Sequence, residues 1–167
     1  MGQNKELETA KKRAVYLLGG KDYSKKELMN KLLNNYSRES CEAAVEQMVE
    51  YGYLDEKRYA NRLAHAYIEV RKYGKSRAKM MMIQKGLAPE LADEVLSAYS
   101  SEDMVEEIAE VIRKKYSDRI CIDGLEGRKE LQKVMAALAR RGYGYEDIKT
   151  AISLVKDGFS DYDFYDE

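Results

Sequence analysis

Apolar residues return at steps of three and four along almost the whole chain, and that rhythm admits little besides packed α-helices. Ala10, Ala14, Leu17 and Leu18 draw the first stripe, Leu28, Leu32 and Leu33 the second, and Cys41, Ala44, Val45 and Met48 the third. Tyr59, Leu63, Tyr67 and Val70 follow, then Ala78 and Met82, then Leu91, Val95 and Tyr99. Met104, Ile108, Val111 and Ile112 make a seventh stripe, Leu131, Val134, Met135 and Leu138 an eighth, and Ile148, Ala151, Ile152 and Val155 a ninth. A single proline leaves little to break these helices, and 11 glycines in 167 residues do not supply the closely spaced turns of a β-sandwich. The expected fold is all-α.

Capping residues place the helix ends. Ser24 and Glu27 form a capping box that satisfies two orphan N–H groups, and Ser37 and Asp55 are N-cap candidates. Ser100 or Ser101 caps the seventh helix, and Pro89 falls in a first turn, where its missing N–H costs nothing. Gly19-Gly20, Gly52, Gly86 and Gly142 are stops, and Gly74 reads as the left-handed residue ending the fourth helix. Residues 117–127 hold two glycines and no sustained period, which suggests a loop. Residues 157–167 hold five acids, no base and no helical stripe, the pattern of a mobile acidic tail.

The nine helices form three similar groups, residues 1–54, 55–100 and 101–155, with the tail at 156–167. The second helix of each group is short and carries an apolar pair four apart: Leu28 and Leu32, Ala78 and Met82, Val134 and Leu138. Glycine follows four later at Gly86 and Gly142; the first group has Tyr36 there, after Asn34-Asn35, which also tolerate the left-handed conformation. Units of about 50 residues have marginal cores of their own, so neighbours are expected to share contacts in an elongated array.

The net charge is −1, yet cation is concentrated. Residues 71–85 carry six bases (Arg71, Lys72, Lys75, Arg77, Lys79, Lys85) and no acid. A polyanion or an acidic protein surface is what such a patch would meet. Arg128, Lys129, Lys133, Arg140 and Arg141, interrupted only by Glu130, would extend the same footprint. Phosphate contacts there would weaken with salt and carry little sequence information. The plainer reading makes Arg71 and Lys72 complements of a helix dipole, as Arg113, Lys114 and Lys115 are, on an ordinarily solvated face. Of 14 tyrosines, Tyr59 and Tyr99 hold stripe positions and belong to the core, whereas Tyr73, beside Lys72, is the candidate for an exposed contact.

Catalytic signatures are missing: the sequence has no phosphate loop, no dinucleotide-binding glycine motif and no nucleophile elbow. His65 is the only histidine, with no serine or cysteine placed to depend on it, and zinc would need carboxylates to complete a site. Cys41 lies on an apolar face and Cys121 in the loop. The expectation is a non-enzymatic, cofactor-free, metal-free monomer of the reducing cytoplasm, with neither a membrane span nor the apolar core of a signal peptide.

Three segments resemble the RecX family of bacterial regulatory proteins. Residues 51–60, YGYLDEKRYA, are similar to that family's Gly-x-Leu-Asp-x-x-Arg-Phe-Ala signature, with Tyr59 in the aromatic place. Residues 74–86, GKSRAKMMMIQKG, are similar to its basic second-repeat helix ending in Lys-Gly. Residues 128–152 resemble its last repeat, with the Arg-Arg-Gly-aromatic turn. The resemblance reaches about Val155 and implies three tandem three-helix repeats in a curved, elongated shape. It also implies a modulator of the RecA recombinase in DNA repair, recombination and the SOS response. Such a protein binds in the groove of the RecA–single-stranded-DNA filament and limits strand exchange and ATP hydrolysis. Ala78 stands where the family commonly has a larger aliphatic residue, and the acidic tail lies outside its pattern. The alternatives are a stand-alone helix-turn-helix DNA-binding or transcription-regulating module, which a pI near 6.0 disfavours, and a structural adaptor without a nucleic-acid role.

Overall fold

The computed structural model describes residues 2–162. Its helices are α1 (Gly2–Gly20), α2 (Lys25–Leu32), α3 (Arg38–Glu50), α4 (Glu56–His65), a π-helical segment (Ala66–Val70), α5 (Lys75–Gln84), α6 (Pro89–Leu96), α7 (Ser101–Lys115), α8 (Ser117–Ile120), α9 (Gly124–Arg140) and α10 (Tyr145–Tyr162). The described chain is therefore all-α. No described helix is long and apolar enough to cross a membrane.

The chain folds as two compact units. The first takes residues up to Leu63 together with Met81–Val95; the second takes Ala64–Met80 together with the chain from Leu96 onward. In the first unit α1 and α2 pack on α3, and Ala10, Ala14, Leu28, Leu32, Cys41, Ala44 and Met48 fill the space between them at no more than 1% exposure. In the second, α10 packs on α7 and α9 around Ile108, Ile112, Val134, Leu138, Ile148 and Ala151. The apolar pairs of α2, α5 and α9 (Leu28 and Leu32, Ala78 and Met82, Val134 and Leu138) are all 0% exposed, as their spacing requires, although α9, at 17 residues, is not the short helix expected.

One joint occurs twice. In the first unit the N-cap of α2, Ser24, donates its hydroxyl to the Lys85 carbonyl at 2.5 Å, and a Cβ on Gly86 would lie 2.7 Å from Lys26 Cβ and 2.9 Å from Ser24 Oγ. In the second unit the amide of Gly74, just before α5, donates to the Arg141 carbonyl at 2.8 Å. A Cβ on Gly142 would there lie 2.5 Å from both Cβ and N of Arg77. Gly86 (φ +92°) and Gly142 (φ +93°) thus serve two demands at once: a left-handed stop and a backbone close enough to touch the start of another helix.

The structure departs from the sequence expectations at several points. The π-helical segment inserts a residue into the turn and rotates the side chains beyond it: Ile68 is 0% exposed while Val70, expected inside, is 68% exposed. On α6 the buried residues are Ala92, Val95 and Leu96, with Leu91 and Tyr99 only half-buried. The left-handed residue after the fourth helix is Lys72 (φ +56°), not Gly74. Gly74 is glycine for space, because its Cβ would lie 2.1 Å from the Gly142 carbonyl. Asn34-Asn35 do not adopt positive φ; α2 closes through a right-handed Leu33. Residues 117–127 contain α8 and the start of α9, since Ile120 is buried at 2% and gives the segment a core anchor. The last helix runs on to Tyr162 rather than stopping near Val155; the end of the expected tail, 163–167, lies outside the described residues.

The caps fall at the expected residues, but the box expected at Ser24 and Glu27 is only half formed, because the Glu27 carboxylate accepts from Tyr59 Oη at 3.1 Å. Ser24 and Ser37 accept from the amides of Glu27 and Ser40, and Asp55 accepts from the amide of Arg58 at 3.0 Å. Ser100 is the cap of α7, in a box whose other half is Asp103. Ser100→Ala should cost about 1 kcal/mol of stability, read by urea unfolding; no loss would mean that Asp103 holds the helix end unaided.

Candidate polyanion interface

The turn between the π-helical segment and α5 is where most of the central basic residues meet. Arg71 ends the π-helical segment with its amide on the Ala66 carbonyl, and the Tyr73 amide reaches back to Tyr67 at 2.8 Å. Those bonds force Lys72 into the left-handed region, which costs a non-glycine residue roughly 1–2 kcal/mol. Four side chains hold it there. Its carbonyl accepts from Tyr143 Oη at 2.8 Å and Arg141 Nε at 3.0 Å, while a second guanidinium nitrogen of Arg141 bonds the Arg71 carbonyl at 2.8 Å. Its ammonium bonds the carboxylates of Glu107 and Glu110 on α7.

The arrangement sorts the candidate residues. Lys72 is spent on structure: two acids neutralise it. Lys75 donates to the Tyr99 carbonyl, which leaves its charge intact. Arg77 lies over the Tyr73 ring at 4.0 Å, with Arg141 near the same ring at 5.8 Å. Tyr73 is therefore half-buried beside two guanidiniums rather than freely exposed, and stacking holds Arg77 in place. Among the described residues no ion pair joins Arg71, Lys75, Arg77 or Arg141 to an acid. Arg140 precedes the joint at the end of α9 and is exposed. Lys79 is half-buried on α5.

Other candidates lie elsewhere. Arg128 and Lys129 are exposed near the start of α9, about 18 Å along the helix axis from Arg140. Lys133 bonds Glu130 at 2.7 Å, and Arg119 bonds the same carboxylate. Lys85 belongs to the first unit, where its carbonyl serves the α2 joint. His65 is exposed, with Nδ1 3.1 Å from Glu69, which also accepts from Tyr99 Oη at 2.9 Å. Hydrogen bonding holds the Glu69 carboxyl below its usual range, and burial with the Glu69 bond pushes the Tyr99 hydroxyl up to about 12. Among the described residues no group of three or more His, Cys, Asp or Glu could hold a metal.

Glu107, Glu110 and Tyr143 were absent from the sequence-based site. The two acids sit 35 and 38 residues from Lys72, so an acid-free run of local sequence does not make an acid-free surface. Burial alone would pull the Lys72 ammonium down, but its bonds to Glu107 and Glu110 outweigh that and raise it. Bonds from Lys114 and then Lys72 draw the Glu110 carboxyl down to about 2 from an ordinary 4.5. A depressed carboxyl stabilises the fold above its unfolded value and ceases to as pH falls through its folded value. The contribution should be complete above about pH 4.5 and vanish by about pH 2. Glu110→Gln should therefore lower stability near neutrality and flatten its acid dependence over that window. Parallel curves for the two proteins would refute the linkage.

Comparison with known proteins picks out the same segments. A model of the second three-helix domain of RecX matches residues 55–96, and one of the third matches residues 101–152. Regulatory protein RecX of Trichlorobacter lovleyi is 31% identical over 134 residues, covering 78% of this chain and 84% of its own. That of Vibrio campbellii is 29% identical over 146 residues, covering 87% and 90%. The crystal structure of RecX from Lactobacillus salivarius superposes with a TM-score of 0.84 over 92% of this chain and 98% of that one. At 19% identity it speaks to the fold alone.

Proposed function

The chain belongs to the RecX family of regulatory proteins, and from that premise we propose that it binds the RecA–single-stranded-DNA filament and lowers its ATPase, strand-exchange and recombination activity. It acts in the cytoplasm as a monomer, without catalysis of its own, through three three-helix repeats at residues 1–54, 55–100 and 101–155. The observation that carries it is the basic turn, where Arg71, Lys75, Arg77 and Arg141 lack an acid partner among the described residues and are held in place by a strained residue and an aromatic ring. Backbone strain and π-helical turns concentrate at functional sites, and this one presents fixed positive charge to a polyanion. Arg71, Lys75, Arg77, Lys79, Arg140 and Arg141 are assigned to partner and DNA contact. Tyr73 is their support, and Arg128 and Lys129 a separate, secondary contact. By occupying the filament, the protein blocks the conformational cycling that ATP hydrolysis requires.

Co-sedimentation with preassembled RecA filaments tests this. The protein should pellet with the filament, less so as salt rises, at concentrations that leave bare single-stranded DNA largely unbound. Equal retention on bare DNA, or none on filaments, would refute the reading.

A further inference from the structure

The first unit carries a second surface, opposite in charge to the basic turn. A groove of about 530 Å³ runs between α2 and α3, lined by Met29, Val45 and Val49 and edged by Glu42, Glu46 and Glu50, with Lys25 as its one base. A smaller hollow of about 330 Å³ continues it past Val49 to Leu54. Val49 is 39% exposed, so the apolar lining opens to solvent there, while Met29 is half-buried and Val45, at 5%, is buried beneath it.

The three glutamates stand at i, i+4 and i+8 on one ridge of α3, where like charges at that spacing repel. Arg38 reaches only the first of them, at 3.8 Å from Glu42. Among the described residues neither Glu46 nor Glu50 has an ion-pair partner. Glu50 is moreover the last residue of α3, at the negative end of the helix dipole, and the last turn holds no base. Within the described fold Arg38 offsets only Glu42, and Lys25 is the one base lining the groove; a cation seated beside Glu46 and Glu50 would offset more of this charge.

We propose that the groove docks a cationic amphipathic helix of a partner protein, its apolar face on Met29, Val45 and Val49 and its lysines or arginines against Glu42, Glu46 and Glu50. Charge complementarity selects this occupant: an acidic segment, including residues 157–167 of the chain itself, would be repelled. The mode is a helix laid in a groove with anchors at helical spacing.

The test uses the full chain and a fluorescein-labelled 14-residue peptide of leucine and lysine patterned as an amphipathic helix. Anisotropy should report saturable binding that weakens with salt. Glu42→Gln/Glu46→Gln/Glu50→Gln should weaken it about tenfold or more without lowering the melting temperature. Val49→Ser should weaken it as well, and a lysine-only peptide of equal charge should bind at least about tenfold less tightly. Equal binding of the lysine-only peptide, or binding indifferent to the triple substitution, would overturn the proposal. So would self-association of the unliganded chain in sedimentation equilibrium that the triple substitution abolishes, which would assign the groove to a second copy. RecA is absent from these assays, so their failure leaves the filament reading untouched.

Discussion

Gly142→Ala should cost about 3 kcal/mol or more of stability. Two penalties combine. The residue sits at φ +93°, where a side chain is strained by roughly 1–2 kcal/mol. Its Cβ would also meet the N and Cβ of Arg77 at 2.5 Å, which are not the yielding tip of a flexible side chain but the start of α5, and such overpacking costs about 1–3 kcal/mol. Gly74→Ala should behave similarly through space alone, since its Cβ would meet the Gly142 carbonyl at 2.1 Å. Gly144→Ala is the control: its nearest contact would be an ordinary 3.8 Å, and its effect should stay below about 1 kcal/mol. Urea unfolding of the three variants decides. Equal stability of the Gly142 and Gly144 variants would mean that the joint between α5 and α9 is looser than described.

The second large effect concerns binding. Lys75→Gln/Arg77→Gln/Lys79→Gln should lower filament affinity by about 10- to 100-fold at moderate salt, if each half-buried cation contributes up to about 1 kcal/mol. The slope of log affinity against log salt should become shallower by about 2, as expected when three contacts with single-stranded phosphates are lost. Circular dichroism should show an unchanged helical fold, because Lys75 and Arg77 support the turn through one carbonyl bond and one ring contact rather than through the core. Arg77→Lys makes a finer test: it keeps the charge but loses the planar stacking on Tyr73, so affinity should fall while the salt slope stays nearly unchanged. If the triple variant still pellets with filaments as well as the parent, the turn is not the contact.

Helix content, most caps and the buried apolar pairs could be read from spacing because each is a local matter. A residue four positions from another shares its face, and a serine three before a glutamate finds the amides it caps. What escaped was decided by distant partners. Val70 kept its place in the pattern, but the extra residue of the π-helical turn moved it outward. Gly74 was recognisable as a special position, yet its reason is Gly142, 68 residues further on, and not its own dihedral angle. Lys72 looked like one more surface cation until Glu107 and Glu110 arrived on α7. Local sequence thus located the basic turn but not which of its cations were already engaged. The short helix α8 depends on Ile120 finding a core, which no period over four residues could signal.

The most direct measurement is the ATPase rate of RecA on single-stranded DNA, titrated with this protein at two salt concentrations. The account predicts that the rate falls, that the fall is weaker at the higher salt, and that it occurs at protein levels too low to shift bare DNA. An unchanged rate, together with tight and sequence-selective binding to bare duplex, would contradict it and point to an independent helix-turn-helix module.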